Sequence, residues 1–474
     1  MKILCAFLSL GLLLFAALIF PTVAICQNAE DFYDNAKLAY RAGDYGKALD
    51  YFNKAVKAGM GTADVYFRRG LSQEKLGDAT RAIEDYTHAI QLDPEMETAY
   101  NNRGSVYYRQ GAYDQAIKDY TKAIQLNPSY SLAYYNRGNA YYGKGEIDKS
   151  ISDFTKALEL DPTDADSYNN RGWALVQKGE VARAITDFNR AIEINPDYAL
   201  AYYNRGAARV KVGDNNGAIQ DLTKAIELNP EYALAFFQRG NAYFRKDELD
   251  KALADYNESA KLNPNYPDLY NNRGWLLFTK GDVRGGIKDV SKAISLNPKL
   301  ARAYSNRGWM YQSSGDCEKA IPDFSKALEL GGPTAAVLTY RGRCYMETGN
   351  KDKALSDFQK ANAIDPNSPD VIAVLAEAKE RAGDYRSATK LLGKLVAIKP
   401  DDASVFYRLG VALGKDGKFF QSIDALTKSI QLNPDQSDAY AKRGIAYQFI
   451  GDMRKAETDF VKAKQLSNGK KKTS

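Results

Sequence analysis

Residues 199–232 read ALAYYNRGAARVKVGDNNGAIQDLTKAIELNPEY, and the way this stretch returns along the chain decides the fold. It contains a first amphipathic segment with the small residue Gly206 and a second with Ala218, Ile219, Ala225 and Ile226 at helical spacing. Gly213 between them suits a left-handed helix cap, and Asn229-Pro230 stops the second segment because proline disfavours helix in the residue before it. The pattern predicts one helical hairpin. Gly206, Ala218 and Ala225 are where its helices approach most closely, and Tyr202 supplies the bulk that fills between them.

The same punctuation recurs on both sides. Prolines fall at 94, 128, 162, 196, 230, 264 and 298, then at 366, 400 and 434, each step 34 or 68 residues. Glycines keep the same phase at 70, 104, 138, 172, 206, 240, 274, 308, 342, 410 and 444, with Ala36 and Ala376 in the two remaining places. Thirteen units therefore run from Ala29 to Lys470 without an insertion. The expectation is an all-α solenoid of 13 tandem 34-residue helix-turn-helix repeats, an architecture that grows without splitting into separate cores.

Composition agrees with a folded chain: 45% of the 474 residues are hydrophobic and 26% charged. The net charge of +6 comes from 65 basic and 59 acidic residues interspersed throughout, so no long basic stripe exists for a phosphate backbone to follow and nucleic acid is not the expected partner. The one dense basic run, Lys470-Lys471-Lys472, opens a short tail at 471–474 that reads as a solvated end.

The first 26 residues differ from the rest. Lys2, the apolar run Ile3 to Phe20 and the segment Pro21 to Cys26 read as a signal peptide, with small residues permitting cleavage near Ala24 and Cys26. Bulky Ile25 speaks against a lipoprotein site at Cys26. Uncleaved, the run is just long enough to anchor the chain in a bilayer, the one circumstance that makes a membrane a partner. The expected location is outside the cytoplasm: periplasmic, secreted or lumenal, and membrane-anchored if the segment is retained.

Tyr202, Gly206, Ala218, Ala225 and Pro230 stand where the tetratricopeptide repeat has its signature aromatic, small residues and proline, and this resemblance covers residues 29–470. It implies a right-handed superhelix whose concave groove, lined by the first helix of each unit, binds proteins. The chain departs from the family at the seventh residue of the unit. The usual Leu is replaced by Arg69, Arg103, Arg137, Arg171, Arg205, Arg239, Arg273, Arg307, Arg341 and Arg443. Sixteen residues later the same units carry Asp85, Asp119, Asp153, Asp187, Asp221, Asp255, Asp289, Asp323, Asp357 and Asp459. Units without the arginine lack the aspartate too: Asn35 goes with Tyr51, Leu375 with Leu391, Leu409 with Ala425. Pairing within the unit leaves no orphan, so a partly buried ion pair is expected across each hairpin, as in Arg205 with Asp221 and Arg273 with Asp289. Inheritance of the pair from one duplicated ancestor is the alternative.

Chemistry finds little support. The single histidine, His88, sits where sister units have Lys122, Lys156 and Lys224 on the outer face of the second helix. With no second histidine and no cysteines at metal spacing, there is no basis for a zinc site or a His-assisted nucleophile, and the glycines are repeat residues rather than a phosphate loop. The chain reads as no enzyme and as needing no cofactor or metal. Beyond the export segment the cysteines are Cys317 and Cys344 in neighbouring units, either a disulfide or two buried thiols.

The candidate site is the groove. Its sixth unit position holds Asn102, Asn136, Asn170, Asn204, Gln238, Asn272 and Asn306 in seven consecutive units. This is similar to the Asn ladder of the protein O-linked N-acetylglucosamine transferases, which holds extended peptide backbone; an amide offers both a donor and an acceptor. Asn beside Arg-Gly can equally satisfy a helix neighbour. One large ring per rung accompanies the amides, from Tyr135, Tyr203, Phe237, Trp173, Trp275 and Trp309, either as interface anchors or as packing between repeats. The carboxylate clamp of chaperone-tail-binding relatives needs Lys at the fifth unit position, which is never basic here. The expected function is an exported scaffold holding an extended peptide or a partner protein in its groove. The alternative is a structural component of an envelope or surface assembly, joined through its ends.

Overall fold

The computed structural model of the protein describes residues 16–470, so the beginning of the export segment and the basic tail at 471–474 lie outside the described residues. Among the described residues twenty-six α-helices follow one another, and twelve successive pairs of them pack as helical hairpins inside two compact units, the all-α repeat array expected from the period. Two compact units divide them, one up to Lys246 and one from Asp247. Within each unit a helix packs chiefly against its hairpin partner and then against the next hairpin. The first helix, Ala16–Arg41, runs from the end of the stretch read as an export segment into repeat 1. No helix among the described residues is long and apolar enough to cross a membrane.

The sixth repeat shows why the residues fold this way. Its first helix is Ala199–Val212, capped by Gly213 at φ 83° as the sequence predicts, and its second is Asn215–Leu228. Asp214 accepts a hydrogen bond from the Gly217 N–H and caps the second helix. A Cβ at Gly206 would lie 2.7 Å from Leu222 Cγ, so only glycine permits this approach. The bulk that fills the hairpin is thus Leu222, fully buried, whereas Tyr202 is only partly buried. In sister repeats Phe188, Tyr120 and Phe324 occupy the place of Leu222, meeting Gly172, Gly104 and Gly308. Alanines such as Ala184, Ala191, Ala218 and Ala225 complete a core in which each hairpin buries one large side chain among small ones.

Candidate functional site

The arginine at the seventh repeat position forms bidentate bonds with the aspartate sixteen residues on. The pairs Arg69–Asp85, Arg103–Asp119, Arg137–Asp153, Arg171–Asp187 and Arg205–Asp221 in the first unit have distances of 2.6 to 2.9 Å. In the second unit Arg273–Asp289, Arg307–Asp323, Arg341–Asp357 and Arg443–Asp459 span 2.6 to 3.0 Å. At Arg171 the bonds to Asp187 outweigh desolvation and hold the guanidinium above its ordinary pKa. Its plane also lies over the Tyr168 ring, 5.6 Å from the centroid.

Sequence reasoning missed a third member. The remaining guanidinium nitrogen, Nη1, donates to a polar side chain sixteen residues earlier, on the second helix of the preceding hairpin. Arg103 reaches Thr87 at 2.9 Å, Arg137 Thr121 at 3.0 Å and Arg205 Asn189 at 2.7 Å. Arg307 reaches Ser291 and Arg443 reaches Thr427, each at 3.0 Å. Each arginine therefore ties its own hairpin together and clamps it to the one before. The signal was present: where the next repeat has no arginine, the place is filled by Gln359 before Leu375 and Gly393 before Leu409. There the ion pair gives way to apolar packing, with Leu391 against Leu375.

The amide ladder is bonded internally. Asn136 donates to Asn101 Oδ1 at 3.0 Å, Asn204 to Asn169 Oδ1 at 2.8 Å and Asn306 to Asn271 Oδ1 at 3.0 Å, each reaching back one hairpin. Asn101, Asn169 and Asn271 in turn donate to the ladder residues Asn102, Asn170 and Asn272 beside them. Asn170 donates to Tyr135 Oη and Asn139 Oδ1, and Gln238 accepts from Asn241. The fifth-position asparagines were overlooked although they neighbour the ladder in sequence. Two of the expected contact residues, Asn204 and Phe237, are each only 5% exposed, and Asn204 is bonded to Asn169, so both present little surface. Asn102, Asn136, Asn170, Asn272 and Asn306 remain partly exposed.

The rings divide similarly. Tyr135 bonds Asn170, and Tyr203 packs on Tyr232 with centroids 4.8 Å apart. Trp173 is partly buried beside Leu175 and Phe188. In the second unit Trp275, Phe278 and Trp309 form one partly exposed cluster, the two indoles 5.3 Å apart and Phe278 5.1 Å from Trp309. His88 is exposed, stacked on Tyr66. Cys317 and Cys344 are joined as a disulfide with Cα atoms 5.0 Å apart, linking the second helix of repeat 9 to the first of repeat 10. Among the described residues no group of three His, Cys, Asp or Glu is placed to hold a metal.

Family models for the TPR repeat match residues 75–111, 104–145, 172–213, 208–247 and 240–281. Others for the tetratricopeptide repeat match 131–164, 154–186, 267–300, 301–330, 335–368 and 352–409. No curated protein matches. Among solved structures, the chain is similar to MamA (41-end) from Desulfovibrio magneticus RS-1, 23% identical over 36% of this chain and 97% of that one, TM-score 0.35. It is also similar to YrrB, described as a TPR protein with an unusual peptide-binding site, at 26% identity over 42% and 99%, TM-score 0.36. The APC/C hetero-tetramer Cut9-Hcn1 is 16% identical over 93% and 94%, TM-score 0.41.

Proposed function

We propose that this chain, which belongs to the tetratricopeptide-repeat family of protein-interaction scaffolds, is exported and holds an extended segment of a partner protein against its first helices. The observation that carries the reading is the Trp275–Phe278–Trp309 cluster. Three large rings on adjacent first helices touch one another and stay partly exposed. Indoles at that exposure have apolar area left to lose on binding, the property of interface anchors. The neighbouring amides add orientation: Asn306 is fixed by its bond to Asn271, so its carbonyl is presented to a peptide N–H without an entropy cost at binding. The ladder thus acts as a pre-ordered polar edge, and the rings supply affinity.

Export is supported by the apolar N-terminal segment and by the Cys317–Cys344 disulfide, since such bonds persist in oxidising compartments. Two experiments test the reading. Mature protein carrying Trp275→Ala and Trp309→Ala is compared with wild type in capture from the native source, with partners identified by mass spectrometry. Partners lost by the variant support the site; an unchanged set moves the contact to the ends of the array. N-terminal sequencing of the natural protein should find a start between residues 25 and 29, and an intact Met1 in membrane-embedded protein would replace export by anchoring.

A further inference from the structure

Comparing the repeats with one another exposes a second surface, near the end of the second unit. At the twelfth repeat position every sister repeat carries a side chain, including Tyr108, Tyr142, Phe244, Phe278 and Met346, whereas repeat 12 has Gly414. Nothing has moved in to replace it. A Cβ there would meet only Ser422, its Oγ at 3.3 Å and its Cβ at 3.9 Å. The result is an open cavity of about 310 Å³ between the first helices Ala403–Lys415 and Ser437–Phe449 and the start of the second helix Phe419–Leu432.

Its wall departs from the repeat pattern as well. Phe449 occupies the thirteenth position, which in the other repeats is Gly143 or a polar residue such as Arg109, Gln177 or Lys211, and it is 67% exposed. Phe449 stacks flat on Phe419 with centroids 4.4 Å apart, and Ile445 extends the apolar wall. The ionisable residues at the rim are Lys415 and Lys442, with no carboxylate among the lining residues. Among the described residues Lys415 is engaged by the Tyr385 hydroxyl and ring. Some other surface lysines do face carboxylates, as Lys144 faces Asp114 and Lys178 faces Asp148.

A missing side chain, an exposed ring and two cations with no carboxylate lining the cavity beside them together describe a socket with a chosen charge. We propose that this cavity takes one large apolar side chain of an acidic peptide segment, the carboxylates on either side of it facing Lys415 and Lys442. That the occupant is a polypeptide rests on the scaffold reading above; the socket itself lies apart from the tryptophan cluster, so the two stand or fall separately.

The test uses mature protein and fluorescein-labelled synthetic peptides in which Asp-Glu-Trp-Glu-Asp is set between Gly-Ser flanks, read by anisotropy. Comparison peptides carry Lys-Arg-Trp-Arg-Lys or Asp-Glu-Ala-Glu-Asp in the same frame. The acidic tryptophan peptide should bind, and both others should bind at least about tenfold more weakly. Gly414→Phe restores the side chain found in two sister repeats and should weaken binding by about tenfold or more, as should Lys442→Glu. Phe449→Gln restores the residue of Gln177, leaves the unfolding midpoint unchanged and reports on the socket should Gly414→Phe fail to fold. Trp275→Ala should leave this peptide's affinity as it is. Equal binding of acidic and basic peptides, retention of binding in all socket variants, loss of binding in Trp275→Ala, or no binding at all would each overturn the proposal. So would a dimer in sedimentation velocity that Gly414→Phe dissolves, which would make a second copy of the chain the occupant.

Discussion

Replacing Arg171, Asp187 or both by Leu measures what the arginine clamp contributes. Asp187 is 6% exposed and receives both bonds from Arg171, at 2.8 and 2.7 Å. Asp187→Leu alone leaves a guanidinium, its side chain 19% exposed, with neither of those bonds, and Arg171→Leu alone leaves a buried carboxylate. Each single change should cost about 3 to 5 kcal/mol. The double change removes both charges and recreates the apolar pair of Leu375 and Leu391. What it loses is the 3.2 Å bond from Arg171 to Thr155, whose hydroxyl keeps its bond to the Ile151 carbonyl. That loss is worth about 1 kcal/mol. The double variant should therefore be more stable than either single one, with a coupling of several kcal/mol. Urea unfolding gives the total. Because arrays open locally, amide hydrogen exchange in helices Ala165–Lys178 and Val181–Ile194 gives the local cost. A double variant that loses the sum of the two single losses would refute the reasoning.

Asn204→Ala should destabilise by about 1 kcal/mol by leaving the Asn169 carbonyl unpaired, while Asn102→Ala, at the partly exposed edge, should cost less; denaturant midpoints compare them. Reducing the Cys317–Cys344 bridge, which closes 27 residues of chain, should cost about 3 to 4 kcal/mol, read as a shift in unfolding between oxidised protein and protein in dithiothreitol. Burial, with the charge of Glu74, raises the Tyr86 phenol, and burial raises that of Tyr120. A phenol whose folded pKa exceeds its unfolded value of about 10 stabilises fully below that pH and loses the contribution as pH rises toward the folded value. Stability should be flat on this account to about pH 10 and fall beyond it, with tyrosinate absorbance rising together with unfolding. Asp247 has φ 60° at the turn position where sister repeats have glycines such as Gly213 and Gly281, so Asp247→Gly should stabilise by roughly 0.5 to 1 kcal/mol in the same assay.

The hairpins were legible because proline, glycine and the apolar spacing each act locally and repeat in phase. The partnership of Arg205 with Asp221 was legible for another reason: thirteen copies allowed a within-chain comparison in which presence and absence travel together. The same comparison held the contact from Arg205 to Asn189, but reading it required looking across a repeat boundary. The amide ladder could be located but not assigned. Whether Asn204 meets a peptide or Asn169 depends on the offset between neighbouring hairpins, which no single helix encodes. Phe237 and Trp275 look alike as rungs, and only packing separates the buried ring from the partly exposed one. The pairing of Cys317 with Cys344 likewise required the distance between two hairpins.

A row of identical fasteners would make the array stretch evenly, but the fasteners are not continuous. Gln359 and Gly393 stand where an arginine of the next repeat would be received, and that repeat offers Leu375 and Leu409 instead. Residues 369–436 lack the clamp at this place: Leu375 and Leu409 pack there on apolar neighbours, and beside Leu409 a single guanidinium nitrogen of Arg408 reaches back to Glu380 and the Ala373 carbonyl, where a bidentate ion pair would fix direction more firmly. Under tension, or while accommodating a bulky guest, this stretch should yield before the clamped repeats of the second unit. The covalent staple between repeats 9 and 10 lies just upstream, placed between that stretch and the tryptophans, so a local opening there should not spread to them.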